Sequence, residues 1–364
     1  MKAAVVRRFG GPEAIELLDW PDPAPRVGEV VMEVHAVTVG RTLDVEVRRR
    51  GADFNVGLPR ILGSDPAGVV RAVGDGVTAF SVGDRVVCTS SLFCGACHAC
   101  LSGATHACRS HGVVGVDIDG GDAEFCAVPA RTLVAIPAGV DFAQAASMAV
   151  SYPLALSLLA AASVGPGDDV LVMGAGGGLG IAGLLIARML GARPIAAAAQ
   201  QWKLARCREF AGVEDTVSYS EPGWARTVRA MTRDSLGVDV VFENIGDPSL
   251  FTDALSTLCS GGWLVTAGAH GGGVVPLDVR TLYRSHLRIA GETGAPIGVA
   301  HEVFEHVAAG RLQPPPVCHR FALDEIARAH EAAAGRDLFG RAVVLTPAGM
   351  ADTPDDKGHH DAYV

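Results

Sequence analysis

Between residues 169 and 190 an apolar run, Asp169-Val170-Leu171-Val172-Met173, passes through Gly174-Ala175-Gly176-Gly177-Gly178-Leu179-Gly180 into a second apolar run, Ile181 to Leu190. The first run predicts a buried parallel strand, the glycines a tight turn, and the second run a helix packed on the sheet. Glycines suit a backbone that must turn sharply and approach a pyrophosphate closely, leaving helix N-terminal N–H groups aimed at negative charge. Gly174, Ala175, Gly176, Gly177, Gly178, Leu179 and Gly180 are therefore candidate dinucleotide-binding residues. A Gly-rich loop in a chain with 45 glycines gives the same letters. The strand before it, the helix after it and the alternation downstream favour the dinucleotide reading.

That alternation continues through apolar runs at 194–199, 216–218, 238–242, 263–266 and 287–289, with helical stretches at 201–210 and 300–309. It predicts a doubly wound parallel sheet of the Rossmann type. Residues 1 to about 140 instead show short β-type runs punctuated by Gly and Pro, as in Val30 to Val34, Gly68 to Val73 and Asp84 to Val87, and predict an all-β unit. A last strand at Arg341 to Leu345 is expected to return to that unit. The division is 1–145, 146–289 and 290–347, with 348–364 too poor in apolar residues to pack and expected to be disordered. The adjacent His359 and His360 in that tail read as solvated rather than as metal ligands.

At 364 residues, 49% hydrophobic and 19% charged, the chain is long enough for two domains with large cores. A formal net charge of −10 disfavours nucleic acid and anionic membranes as partners. Met1 to Arg8 reads as a strand rather than a leader, and no uncharged run is expected to reach membrane-spanning length, Asp168 and Asp169 bounding the longest and Arg188 interrupting it. A cytoplasmic location follows as the expectation.

Nine cysteines are present, four of them as Cys94, Cys97, Cys100 and Cys108, spaced C-x2-C-x2-C-x7-C. Thiolates this close in a turn can converge on one tetrahedral ion, and four of them leave no open position, so one structural zinc per chain is the reading. Disulfides and free thiols are the bland alternatives, and an iron–sulfur cluster the minor one. The lobe is expected over about 88–112. Cys88, Cys126, Cys207, Cys259 and Cys318 read as inert small hydrophobes.

With Leu62-Gly63-Ser64-Asp65-Pro66-Ala67-Gly68, Val73-Gly74-Asp75-Gly76-Val77, Val82-Gly83-Asp84-Arg85-Val86, Gly120-Gly121-Asp122-Ala123-Glu124-Phe125 and Gly261-Gly262-Trp263-Leu264-Val265 added, the sequence resembles the medium-chain dehydrogenase/reductase superfamily to about residue 347. The resemblance implies a GroES-like β-domain, an inserted Rossmann-type domain, a cleft between them, a small-molecule substrate and a homodimer or homotetramer. It also implies catalytic-zinc ligands at the positions of Gly40, Ser64 and Val150, where this chain has no convincing donor. The expected reaction is hydride addition to an activated C=C, or to a quinone, without catalytic zinc. Two readings compete: an alcohol or aldehyde dehydrogenase with a metal site rebuilt from Asp44, Asp65 or Asp122, and a non-catalytic dinucleotide-binding scaffold or redox sensor.

Four residues are catalytic candidates through the resemblance. Thr42 aligns with a proton-relay hydroxyl or caps a turn; Tyr152 is a proton donor to substrate or an aromatic wall; Ser64 and Asp65 bind substrate polar groups from the vacated ligand segment. Asp44 reads as structural, and Arg41 puts a cation near the cleft mouth, for an anionic substrate, or near the cofactor phosphates. Asp122 and Glu292 stand near the pocket or reach solvent. Gly268 and His270 lie in a turn that lines the nicotinamide side in relatives, with His270 the candidate for acid–base work. Ala198 occupies the place where NAD-specific sites put a carboxylate, while Lys203 and Arg206 follow on the next helix. If these meet a 2′-phosphate the cofactor is NADPH; if they face solvent NADH is also accepted.

Overall fold

The computed structural model describes residues 1–352. Six parallel strands stand in the order Thr216–Ser218, Arg193–Ala198, Asp169–Met173, Val238–Glu243, Leu258–Thr266, Arg288–Gly291. The chain enters near the middle, winds outward to one edge, then crosses back and winds to the other. Every residue of Asp169–Met173 is buried, which its unbroken apolar run demanded. Side chains alternate across it: Val170 and Val172 join the core with helices Ser151–Ala161 and Gly178–Met189, while Leu171 and Met173 join Trp224, Val228, Phe251 and Leu255 on the opposite face. Each such buried side chain contributes about 1.5–3 kcal/mol.

A second, largely antiparallel sheet runs Leu133–Ala135, Arg85–Cys88, Ala67–Val73, Glu29–Val39, Ala342–Leu345, His319–Ala322, with Phe125–Pro129 also paired to Glu29–Val39. Ala342–Leu345 lies against Glu29–Val39, so the late chain completes the early sheet. Its Val343 and Leu345 enter the core shared with the Rossmann helices, whereas Ala342 and Val344 enter the β-unit's own core. This strand, like Glu29–Val39 and Ala67–Val73 of the same sheet, thereby faces both cores.

Two expectations need correction. The uncharged stretch between Asp141 and Asp168 outlasts the one taken as longest, and Phe142–Ala161 is apolar and long enough to cross a membrane. It is mostly buried inside the protein, as two helices, Phe142–Met148 and Ser151–Ala161. Nor does order end at residue 347. Pro347–Asp352 is a helix, seated by Gly349, which packs so tightly that a Cβ there would stand 1.8 Å from the His35 carbonyl oxygen. The His359-His360 pair lies outside the described residues.

Candidate dinucleotide cleft and metal lobe

Gly174 turns with φ +62°, a conformation that favours glycine. At Gly180 a Cβ would stand 2.3 Å from the Gly174 carbonyl oxygen and 2.7 Å from Ala175 Cα, so helix and strand meet only because it is glycine. The helix Gly178–Met189 has Gly177 as N-cap with no side-chain cap, leaving first-turn N–H groups open to an anion. Above the turn, Asn244 is buried, its Oδ1 2.6 Å from where a Gly174 Cβ would stand, and its Nδ2 has no partner among the described residues. Gly268 is also pressed on this residue: a Cβ there would meet the Asn244 carbonyl oxygen at 2.1 Å. The cradle, the open N–H groups and the orphaned amide fit a dinucleotide.

The adenosine end, beyond Ala198, gathers charge from distant segments. Lys203 lies across Gly176 and donates from Nζ to the Arg336 carbonyl, and burial lowers its pKa. Burial raises the Tyr219 phenol, opposed by the Ala199 backbone and the Arg336 charge. Gln200 Nε2 donates to Asp337 Oδ1 at 3.1 Å. Arg206 is directed elsewhere, donating to Glu209 Oε2 at 2.8 Å and Cys318 Sγ at 3.7 Å and lying over the Phe339 ring. Sequence reading missed Tyr219, Arg336 and Asn244. Nothing local marks Arg336, which arrives from the returning chain.

The other wall of the cleft carries the vacated ligand positions. Gly40 ends the strand Glu29–Val39, and the helical segments Arg41–Glu46 and Val47–Arg50 follow, with Thr42 exposed. Asp44 is buried beneath them, accepting from Gly40 N at 2.6 Å and Gly63 N at 3.1 Å. Burial and the neighbouring Asp65 push its pKa up to about 7. Ser64 is buried, and Asp65 is fully engaged: it accepts from Thr38 N at 3.0 Å, Thr38 Oγ1 at 2.7 Å and Arg341 Nη1 at 3.1 Å. Burial raises the Asp65 carboxyl, while the Arg341 guanidinium pulls it down. Asp65 therefore anchors Arg341 rather than reaching for substrate. Arg341 itself runs across Gly178 to Gly40: Cβ atoms at those glycines would stand 2.7 Å and 3.0 Å from it. It bridges the glycine turn and the vacated position, a link that no sequence spacing announced.

Asp122 neither reaches solvent nor lines an open pocket. It is buried, Oδ1 has no partner among the described residues, and burial with the charges of Asp44 and Asp65 holds its carboxyl protonated far above the usual range. Tyr152 is likewise removed from the cleft: it is wholly buried, and its hydroxyl donates to the Gln313 carbonyl at 3.2 Å. Burial raises its pKa further above the phenol range, so the proton-donor reading gives way to a core role. Val150, two residues before it, is partly exposed. His270 is exposed on the Rossmann side, where the chain packed around it and the Arg41 charge lower its pKa against the pull of Glu46. Glu292 faces the cysteine lobe, 3.7 Å from His106 Nε2.

In that lobe all four cysteine sulfurs lie within 4.8 Å of one another, and no other such group of three or more His, Cys, Asp or Glu donors occurs among the described residues. Sulfur separations of 3.6 Å (Cys97–Cys100) and 3.9 Å (Cys94–Cys100, Cys97–Cys108) match the roughly 3.8 Å edge of a tetrahedron with metal–sulfur bonds of about 2.3 Å. Backbone N–H groups point at the sulfurs: Cys97 N at Cys94 Sγ, and Cys94 N and Ser110 N at Cys108 Sγ, at 3.3–3.4 Å. Backbone donors at Cys100 and Arg109 lower the Cys97 thiol to about 6, and those at Ala96 and Cys97 lower Cys94; desolvation pushes Cys100 up to about 12. The donor set fits a tetrahedral metal ion.

Residues 26–138 match the family model for the alcohol dehydrogenase GroES-like domain, and residues 178–309 that for zinc-binding dehydrogenases. The quinone oxidoreductase of Rattus norvegicus is 30% identical over 341 residues, covering 91% of this chain and 93% of its own length. The chain belongs to the medium-chain dehydrogenase/reductase superfamily. Another superfamily relative, the acryloyl-coenzyme A reductase of Metallosphaera sedula, is 28% identical over 352 residues, covering 95% of this chain and 100% of that protein. A solved NAD-dependent alcohol dehydrogenase superposes with a TM-score of 0.89 at 34% identity, covering 95% of this chain and 99% of its own. As a medium-chain dehydrogenase/reductase the chain is an NAD(P)-dependent oxidoreductase, its GroES-like unit joined to a Rossmann-type sheet.

Proposed function

We propose that this oxidoreductase uses NADPH to reduce an activated C=C or a quinone, with a zinc ion in the cysteine lobe serving structure alone. The observation that carries the reading is the fate of the vacated ligand positions. Gly40, Ser64 and Val150 offer no convincing donor set, Asp44 and Asp65 are spent on backbone N–H groups, Thr38 and Arg341, and Asp122 is buried where desolvation and the neighbouring carboxyls disfavour its charge. A rebuilt metal site would need those carboxylates free and converging. NADPH is supported by the missing carboxylate at Ala198 and by Lys203, Tyr219 and Arg336 beside it, which suit a 2′-phosphate.

When bound, the nicotinamide supplies the hydride. This chain's part is to hold the pyrophosphate on the open N–H groups of Gly178–Met189 with Arg341 alongside, and to offer donors to the carbonyl oxygen that becomes an enolate oxygen. Thr42, which is exposed, takes that donor role. His270, whose pKa desolvation and the Arg41 charge lower, can pass a proton from solvent.

A cytoplasmic setting suits nine cysteines none of which is disulfide-bonded. A homodimer is supported by the sheet edge Arg288–Gly291, where Ile289 is exposed together with Val274, Leu277, Val279 and Tyr283.

The test is metal content with activity. Protein purified without added metal should carry one zinc per chain and oxidise NADPH with enones or quinones. Two zincs, the second lost to mild chelation together with alcohol dehydrogenase activity, would overturn the reading. Tight NADPH binding without turnover of any enone, quinone or aldehyde would point to the non-catalytic sensor.

A further inference from the structure

The helix Ile297–Ala308 has no cap of its own. Its N-cap is Pro296, which has no hydrogen-bonding side chain, and the first N–H groups of a helix must find partners elsewhere. Ile297 N finds one 192 positions away: it donates to Thr105 Oγ1 at 2.9 Å. Thr105 is buried and opens the turn Thr105–Ala107 that leads into Cys108, whose N donates to the Thr105 carbonyl at 3.2 Å. One further contact joins the same segments: Glu292 Oε2 lies 3.7 Å from His106 Nε2. Gly294 packs close to Ser91 of the same lobe, with room for little more than a Cβ.

The segment so gripped is the way out of the Rossmann sheet. Glu292 N donates to the Thr266 carbonyl at 3.1 Å, at the carboxyl ends of the strands, where dinucleotides sit in such sheets. Beyond it, Ala300, Val303, Phe304 and Val307 are buried in the core shared by the two units. The last parallel strand ends at Gly291, so 292–297 is the stretch that leaves the Rossmann sheet and Ile297–Ala308 opens the returning segment. A hydroxyl three residues from Cys108 therefore caps the helix that follows the exit from the Rossmann sheet.

We propose that the cysteine lobe is a latch on the exit from the Rossmann sheet, in which Thr105, positioned by metal at Cys94, Cys97, Cys100 and Cys108, caps Ile297–Ala308 and sets the crossover segment 292–297 for dinucleotide binding. Thr105 is a positioning residue and touches no reacting atom. The latch rests on the metal reading of the lobe only where metal is removed; the cap itself does not.

Hydrogen exchange of the peptides covering 292–300, with NADPH affinity by fluorescence titration, tests it on the full chain. Thr105→Val keeps shape but removes the acceptor. It should retain its metal, speed exchange in 292–300 about fivefold, the ratio expected for a lost N-cap bond, and weaken NADPH binding. Thr105→Ser should restore both. Chelation of the wild type should speed the same peptides, while chelation of Thr105→Val should add little there. Unchanged exchange in Thr105→Val, or failure of Thr105→Ser to restore it, overturns the latch. Should Thr105→Val not fold, Glu292→Ala, which removes the group facing His106, is read in the same peptides and must speed them. Loss of exchange coupling on chelation alone, with the Thr105→Val effect intact, would count against the metal reading and leave the cap standing.

Discussion

The cysteine lobe and the vacated ligand site answer the same question, how to hold several charged or ionisable groups together, in opposite ways. In the lobe four sulfurs converge at the surface, and backbone N–H groups favour thiolate at Cys94 and Cys97. Beneath the cleft three carboxyl groups lie buried without converging on one point. Asp65 is neutralised by Arg341, Asp44 is met by two backbone amides, and Asp122 keeps its proton. The first arrangement is completed by a dication. The second is balanced by hydrogen bonds and one guanidinium, and leaves nothing to coordinate. The lesson is that acidic residues near a lost metal site are poor evidence for a rebuilt one; the direction in which their oxygens are already spent decides.

The largest test of that contrast is Arg341→Met. It strands the buried Asp65 carboxylate and should cost about 3–5 kcal/mol in denaturant unfolding, with Asp65→Asn in the same chain recovering much of it. Unchanged stability would mean that Arg341 does not neutralise the site. In the lobe, Cys97→Ser should empty the site and lower stability by about 4 kcal/mol, the linkage for a ligand held a thousandfold above its dissociation constant; elemental analysis and thermal unfolding check it.

Asp122→Asn sharpens the comparison through pH. The native chain keeps the Asp122 proton above the usual carboxyl pKa, whereas the unfolded chain releases it near pH 4, so stability falls as pH rises from there toward the raised native pKa. The variant should lose most of that decline and be about 1–3 kcal/mol more stable than wild type at pH 8. A shallower fall up to about pH 7 should remain, from Asp44. The smallest effect belongs to Tyr152→Phe. Removing a hydroxyl bonded only to the Gln313 carbonyl should cost about 1 kcal/mol and leave kcat alone; a large fall in kcat would return Tyr152 to the cleft.

Much of the cofactor wall was legible because its signals are local. Strand, turn and helix between residues 169 and 190 are adjacent in sequence, and Gly180 is demanded by a contact with Gly174 six residues away. The cysteine cluster was legible for the same reason: its ligands fall within one lobe. Residue function across the cleft was not. Tyr152 looked like a pocket residue because alignment gives position and not the direction of a side chain, and the core claimed it. Arg206 carries the expected charge, but Glu209, Cys318 and Phe339 hold it elsewhere.

By itself the sequence determined the parallel sheet, its glycine turn, the returning last strand and the grouping of four thiols, since periodicity and spacing act over a few residues. Tertiary structure alone decided that Arg341 crosses Gly178 to neutralise Asp65, that Arg336 and Tyr219 join Lys203, and that Thr105 caps a helix 192 positions later. Those contacts depend on where two units come to rest against a shared core. No local pattern records that placement, because the free energy that fixes it is spread over the whole buried interface rather than held by the residues that use it.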